Sequence, residues 1–141
     1  MRLAAMLVFA VSLCLAGCGG GSQTLDAEAL KKQAEAIESL AAEGALLAAD
    51  VSEGDTTSPF VRVQAEALGK KAETVVSALE PGRAKLAGVS RPTDLYAHNL
   101  ARSVRADLAK LEQELSSARA ARLRDRLERK SEEAKRLAES L

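Results

Sequence analysis

Residues 25–51 read LDAEALKKQAEAIESLAAEGALLAADV, and the spacing of their apolar side chains decides the fold class. The apolar positions advance by alternating steps of four and three residues, which places them on one face of a helix about 40 Å long. Thr24 stands where an N-cap is expected, and Asp26 and Glu28 follow in the first turn, where the helix dipole favours anions. The spacing therefore predicts a helix over 25–51. Its apolar face comprises Leu30, Ala34, Ile37, Ala41, Gly44, Ala48 and Val51.

Two further segments show the same spacing. Ser58 and Pro59 are a capping residue and a first-position proline, and they predict a helix over 59–80. Every Pro and Gly beyond residue 80 lies within 81–93, which predicts a connection there, and a third helix over 94–118 capped by Thr93 and Asp94. Four positions are predicted to be buried in the core between these helices, namely Leu68, Val75, Leu108 and Leu111.

The segment 119–141 shows a change of phase. If the apolar series of the third helix is continued, it meets arginines, and a new series begins about 100° away around the helix axis. That new series is Leu123, Leu127, Ala134, Leu137 and Leu141. Because no Gly or Pro follows residue 93, we predict that the third helix extends to the C-terminus. The prediction is an all-α, antiparallel three-helix bundle over 24–118 with a charged extension over 119–141. The alternative is that 119–141 folds back as a fourth helix.

Composition excludes several classes of function. Ala (28) and Leu (21) dominate, whereas Val and Ile together number 10, which is typical of an all-helical protein. The balance of 20 basic and 20 acidic residues argues against a nucleic-acid partner. His98 is the only histidine, and Asp94 four residues earlier is not enough for a metal site. We therefore expect no catalytic site, no metal and no cofactor.

Three further features could carry binding. Phe60 and Tyr96 each lie at a predicted helix start, where they would close the ends of an alanine-rich core or, alternatively, frame a small ligand or peptide patch. Four arginines recur at steps of three, four and three residues in the extension: Arg119, Arg122, Arg126 and Arg129. These arginines would contact an anionic surface such as lipid headgroups or wall polymers. The alternative is that they form the solvated face of a self-associating helix.

The first eighteen residues form a recognisable targeting signal. Arg2 precedes a run, Leu3 to Leu15, that is apolar except for Ser12, as in the core of a secretory signal peptide. The run ends in Leu15-Ala16-Gly17-Cys18, which resembles the lipobox of bacterial lipoproteins. The resemblance covers this leader alone. It implies that 1–17 is a signal peptide, that Cys18 becomes the acylated N-terminus, and that 18–23 is a glycine-rich tether.

These features together predict a lipid-anchored bacterial lipoprotein on the extracytoplasmic face of the cell membrane, or of the outer membrane in a host with two. Its expected partners are membrane lipid through Cys18 and a protein or second copy through 119–141. We expect a non-enzymatic interaction or structural module. One alternative is a solute- or peptide-binding lipoprotein with its site between helices. Another is a murein-type structural lipoprotein, although that family attaches through a C-terminal Lys and this sequence ends in Leu141.

Overall fold

The computed structural model describes residues 24–113 and 116–141, so the predictions about the leader and Cys18 lie outside the described residues. The described chain is almost entirely helical, which confirms the predicted all-α class. Its helices are α1 (Ala27–Glu53), α2 (Ser58–Ala78), α3 (Arg91–Leu111) and α4 (Ser117–Glu139). Two strands of two residues each, β1 (Thr24–Leu25) and β2 (Lys85–Leu86), complete the elements.

Local capping chemistry sets where the helices begin and end. The Asp26 side chain accepts a hydrogen bond from the Ala29 backbone N–H, so Asp26 rather than Thr24 caps α1. Gly54 ends α1 with a φ of 80°, a left-handed conformation in which glycine carries no steric penalty. At α3 the cap is Ser90, which accepts from the Thr93 N–H, so this helix begins earlier than the sequence predicts.

The short strands pair in parallel and join distant parts of the chain. Thr24 lies opposite Lys85 and Leu25 opposite Leu86, and the Ala87 N–H donates to the Leu25 carbonyl. Because Leu25 is buried, the chain just before α1 is held against the connection between α2 and α3. The start of α1, the end of α2 and the start of α3 therefore share one end of the domain, called the entry end below. The sequence did not predict this pairing.

The third helix does not extend to the C-terminus, and that part of the predicted architecture is wrong. α3 ends at Leu111 and a separate helix, α4, begins at Ser117 and packs back on the domain. The physical reason is the change of phase, because one continuous helix could not direct both apolar series toward the same core. The core also does not close at Ala118, which is exposed. The alternative prediction, a fourth helix folding back, describes the observed arrangement.

The most extensive helix contact is between α1 and α4, and α1 also contacts both α2 and α3. The two helices are antiparallel, since the Ser131 hydroxyl donates to the Glu38 carbonyl (3.3 Å) while Leu127 lies beside Gly44. Small residues on α1 allow this approach. A Cβ placed on Gly44 would lie 2.5 Å from the Leu108 Cδ2 atom and 3.2 Å from the Leu127 Cδ1 atom, so the site has no room for a side chain.

A single apolar core receives side chains from all four helices and from β1. All four positions predicted to be core are buried, which confirms the predicted faces of α2 and α3: Leu68, Val75, Leu108 and Leu111. From α4 the core receives Leu123, Leu127, Ala134, Leu137 and Ala138. The segment 119–141, predicted to be a charged extension, is therefore part of the same core.

Truncation of a central leucine tests this packing. Leu108 is fully buried and contacts α1 at Gly44, so Leu108→Ala should lower the free energy of unfolding by about 2–4 kcal/mol, through lost burial and a residual cavity. Leu46→Ala is the matched control, because Leu46 is 69% exposed and its truncation should cost less than about 0.5 kcal/mol. Urea unfolding of both variants measures the difference, and equal losses would contradict the observed burial.

Candidate anion-binding groove between the third and fourth helices

The four arginines singled out in the sequence are exposed on the side of α4 that borders α3. Arg119, Arg122 and Arg126 line a cleft of about 590 Å³ near the start of α4. Lys110 and Gln113, at the end of α3 and just beyond it, form the opposite wall of this cleft, and Leu123 also contributes to its lining. Among the described residues, every ionisable side chain that lines it is basic.

A second cleft of about 330 Å³ lies further along the same two helices. Arg126 lines both clefts, so the two adjoin at this side chain, and we call the pair the α3–α4 groove. Its second part is lined by Tyr96, Asn99, Leu100, Ser103, Arg126, Arg129, Lys130 and Glu133. From Arg119 to Glu133 the groove follows about 20 Å of α4, at 1.5 Å per residue.

A buried carboxylate holds the two walls of the groove together. Asp107 on α3 is only 3% exposed and lies 2.5 Å from the Nζ atoms of both Lys110 and Lys130, and 3.5 Å from Arg126. The Lys130 Nζ also donates to the Ser103 carbonyl at 3.0 Å. These bonds anchor α4 to α3, a pair of helices whose contact is less extensive than that of α1 with α4.

The electrostatic state of Asp107 follows from two opposing effects. Burial on its own would raise the pKa of this carboxyl, but the hydrogen bonds and positive charges of Lys110 and Lys130 outweigh it, and the pKa is lowered. Asp107 is therefore ionised at neutral pH. One carboxylate faces three cations, which leaves this part of the groove positively charged.

The chain is neutral overall, but its charges are segregated between helices. α3 and α4 together carry twelve basic and seven acidic residues, whereas α1 carries two basic and six acidic residues. The balanced composition therefore conceals a basic half and an acidic half. Among the described side chains, Arg119, Arg122 and Arg129 form no salt bridge, whereas Arg126, Lys110 and Lys130 all pair with Asp107.

The other residues considered in the sequence lie outside any catalytic arrangement. Phe60 is 50% exposed and Tyr96 47% exposed, so the interpretation that they close the ends of the core is wrong. Near the start of α2 the buried position is Val61, next to Phe60, and near the start of α3 the buried positions are Asp94 and Ala97, on either side of Tyr96. Tyr96 instead borders the α3–α4 groove, where partial burial of its ring and the charge of Glu133 raise the pKa of its phenol.

His98 is half-buried near the start of α3, and Asp94 is buried one turn earlier. The His98 Nδ1 atom has no hydrogen-bond partner among the described residues. Within the described ranges, no three His, Cys, Asp or Glu side chains cluster as metal ligands would. The described helices also include none long and apolar enough to cross a membrane.

The space between the other helices differs in how much room it offers a ligand. Between α1 and α4 lies an open depression of about 910 Å³, lined by Ala42, Ala45, Ala49, the exposed Leu46 and charged residues of α4. The interior between α1, α2 and α3, by contrast, contains only a void too small to admit water, lined by Ile37, Leu40, Ala72, Val75, Ala101 and Val104. Ligand pockets usually measure several hundred Å³, so this part of the core offers no room for a solute.

Sequence reasoning found the arginines of the groove but missed Asp107, Lys110 and Lys130. Asp107 adjoins the apolar series of α3 next to Leu108, and an acidic residue at the edge of a core face is the one signal that could have identified it. The start of α4 also had a signal, since Ser116 and Ser117 are typical residues of a helix N-terminus.

Comparison with known proteins adds no relative, since no protein-family model, no curated protein and no solved structure matches this chain. The function is therefore inferred from the sequence and from the geometry described above.

Proposed function

We propose that the protein is a lipid-anchored extracytoplasmic bacterial lipoprotein whose helical domain is a non-enzymatic interaction module. The observation that carries this proposal is the lipobox, Leu15-Ala16-Gly17-Cys18, at the end of an apolar leader. Its resemblance to the bacterial lipoprotein signal implies acylation of Cys18 and cleavage before it. Two or more acyl chains give stable membrane attachment, whereas a single chain binds only marginally.

The position at which the chain enters the domain indicates how an anchored domain would be oriented on the membrane. Five residues lie between Cys18 and Thr24, and the six steps from one to the other span at most about 20 Å. Thr24 lies at the entry end, which an anchor at Cys18 would therefore hold near the membrane. Ser131 is level with Glu38, so counting along the antiparallel helices places Arg119 about 35 Å from the start of α1. The arginine cleft is thus at the end of the domain remote from the anchor.

Packing favours an interaction module over a solute-binding protein with its ligand among the helices. The interior void described above cannot hold a solute, and the larger depressions all lie at the surface. Self-association through the apolar face of 119–141 is also disfavoured, because α1 and the rest of the core already cover that face. A second copy or a protein partner would have to bind through another surface of the domain.

Substitution of the lipobox cysteine tests the anchoring. In cells, Cys18→Ala should leave the protein either uncleaved, with the mass of the full chain, or secreted into the soluble fraction. Cys14→Ala is the matched control: it also removes a cysteine from the leader, but it lies four residues before the lipobox cysteine and should leave membrane fractionation unchanged. Membrane-bound Cys18→Ala protein with the mature mass of wild type would contradict the proposal.

A further inference from the structure

We propose that the α3–α4 groove binds a linear polymer carrying phosphate groups, with Arg119, Arg122 and Arg129 as its main contacts. The groove is part of the folded domain, so this inference concerns the chemistry of the site and holds whether or not Cys18 is acylated. The proposed function adds only the location of the groove, on an extracytoplasmic domain and at the end remote from the anchoring membrane.

The distribution of charge in the groove selects an anion. The three arginines form no salt bridge with a described carboxylate, and Asp107 is shared by Lys110, Lys130 and Arg126. Within the part of the chain that the structure describes, Glu133 is the one carboxylate that lines the groove, and it lies at the end nearest Tyr96. A ligand bound between Lys110 and Arg129 would therefore meet basic groups on both walls. Such a site attracts polyanions and gives binding that weakens steeply with salt.

The shape of the groove favours a chain over a flat surface. The two clefts of the groove adjoin at Arg126 and together follow about 20 Å of α4, with Lys110 on one side and the arginines of α4 on the other. A strand with repeated charges could lie along it and contact successive arginines, which are spaced about 5–10 Å apart along the helix. A planar membrane could reach only the rim, and would require the domain to lie on its side over a short tether.

The side-chain types favour phosphate. Arginine presents a planar fork of donors that binds phosphate oxygens in pairs and keeps its charge at any physiological pH. Along its length the groove also offers the polar side chains of Gln113, Asn99, Ser103 and Tyr96, which can hydrogen-bond the neutral units that link phosphates in a polymer.

The test measures binding of linear inorganic polyphosphate to the full-length protein in a neutral detergent, by titration at several salt concentrations. The groove variant is Arg119→Gln/Arg122→Gln/Arg129→Gln, and its affinity should fall about tenfold or more. The slope of log affinity against log salt concentration should decrease in magnitude by about two, because each lost phosphate contact removes about 0.7. Identical thermal unfolding of wild type and variant would establish that the fold is intact.

A matched control removes the same number of charges elsewhere. Lys31, Arg62 and Lys71 are exposed on α1 and α2, outside the groove, and Lys31→Gln/Arg62→Gln/Lys71→Gln should change affinity less than twofold. An equal loss of affinity in both triple variants would show that net charge alone attracts the polymer, and would overturn the proposal. Absence of polyphosphate binding by the wild type at low salt would overturn it too.

Three further ligands distinguish which class of anion the groove binds. A single-stranded oligonucleotide should bind through its phosphodiester backbone without sequence preference, whereas a defined sequence that bound far more tightly than others would indicate a nucleic-acid partner instead. Polyglutamate should bind more weakly than polyphosphate, and equal affinity would refute the preference for phosphate. Vesicles rich in anionic lipid that bound the protein when polyphosphate did not would assign the groove to a membrane surface.

Discussion

Removal of residues 116–141 is expected to abolish the cooperative unfolding transition of the domain. α4 buries three leucines in the common core, Leu123, Leu127 and Leu137, and each is worth about 1.5–3 kcal/mol of burial. Their loss alone removes about 5–9 kcal/mol, against a total stability of about 5–15 kcal/mol for a domain of this kind. The deletion also exposes the face of α1 that α4 covers, so the remaining helices should not fold stably.

Circular dichroism during heating measures this effect, and a peptide of residues 116–141 added in trans provides the control. The peptide should restore a cooperative transition whose midpoint rises with peptide concentration, because binding to the folded state stabilises it by mass action. A truncated chain that melted cooperatively within a few degrees of the full chain, with no response to the peptide, would show that α4 is a separable extension.

Neutralisation of the buried carboxylate should produce the second large effect. Asp107→Asn keeps the shape of the side chain but removes the charge that faces Lys130, whose own side chain is only 17% exposed. Removal of one partner from a buried ion pair typically costs about 3–5 kcal/mol, because the other charge remains uncompensated. Asp125→Asn is the matched control, since Asp125 is exposed and pairs with Arg124 at the surface, where ion pairs contribute less than about 1 kcal/mol.

The same residue predicts how stability depends on pH. The pKa of Asp107 is lower in the folded chain than its ordinary value of 3.8. Its contribution is therefore complete above that ordinary value and disappears as the pH falls through the lower, folded pKa. Urea unfolding between pH 7 and pH 2 should show a smaller acid-induced loss of stability in Asp107→Asn than in wild type. Parallel pH profiles for the two proteins would show that Asp107 does not contribute as an ion pair.

The helices and their buried faces were predictable wherever one apolar periodicity runs through the whole segment. Steps of four and three residues identified the buried faces of α1, α2 and α3, because an amphipathic helix must direct such a series at a core. The break between α3 and α4 was not predictable from breakers, since 94–141 contains neither Gly nor Pro. The shift in the phase of the apolar series after α3 was the signal of this break. A chain that reverses direction accounts for the shift, because both apolar series can then face the same core. The pairing of Thr24–Leu25 with Lys85–Leu86 depends on tertiary contact and leaves no periodic signal.

One wall of the candidate site, the arginine series on α4, was predictable from the sequence, and the opposite wall on α3 was not. Local spacing placed Arg119, Arg122, Arg126 and Arg129 together, because steps of three and four residues share a helix face. The opposite wall depends on how α3 lies against α4, so Lys110 and Tyr96 could be joined to the arginines only in the folded chain. The neutral net charge of the chain likewise concealed the basic half of the domain, because it sums the acidic charge of α1 with the basic charge of α3 and α4.

The intact mass of the protein extracted from cell membranes tests the central proposal most directly. Acylation at Cys18 predicts a chain that lacks residues 1–17 and carries at least a diacylglyceryl group on the Cys18 sulfur, and an N-terminal peptide whose lipid mass is lost in Cys18→Ala. A chain that retained Met1, or that began at another residue with an unmodified cysteine, would contradict the assignment of the protein as a lipoprotein.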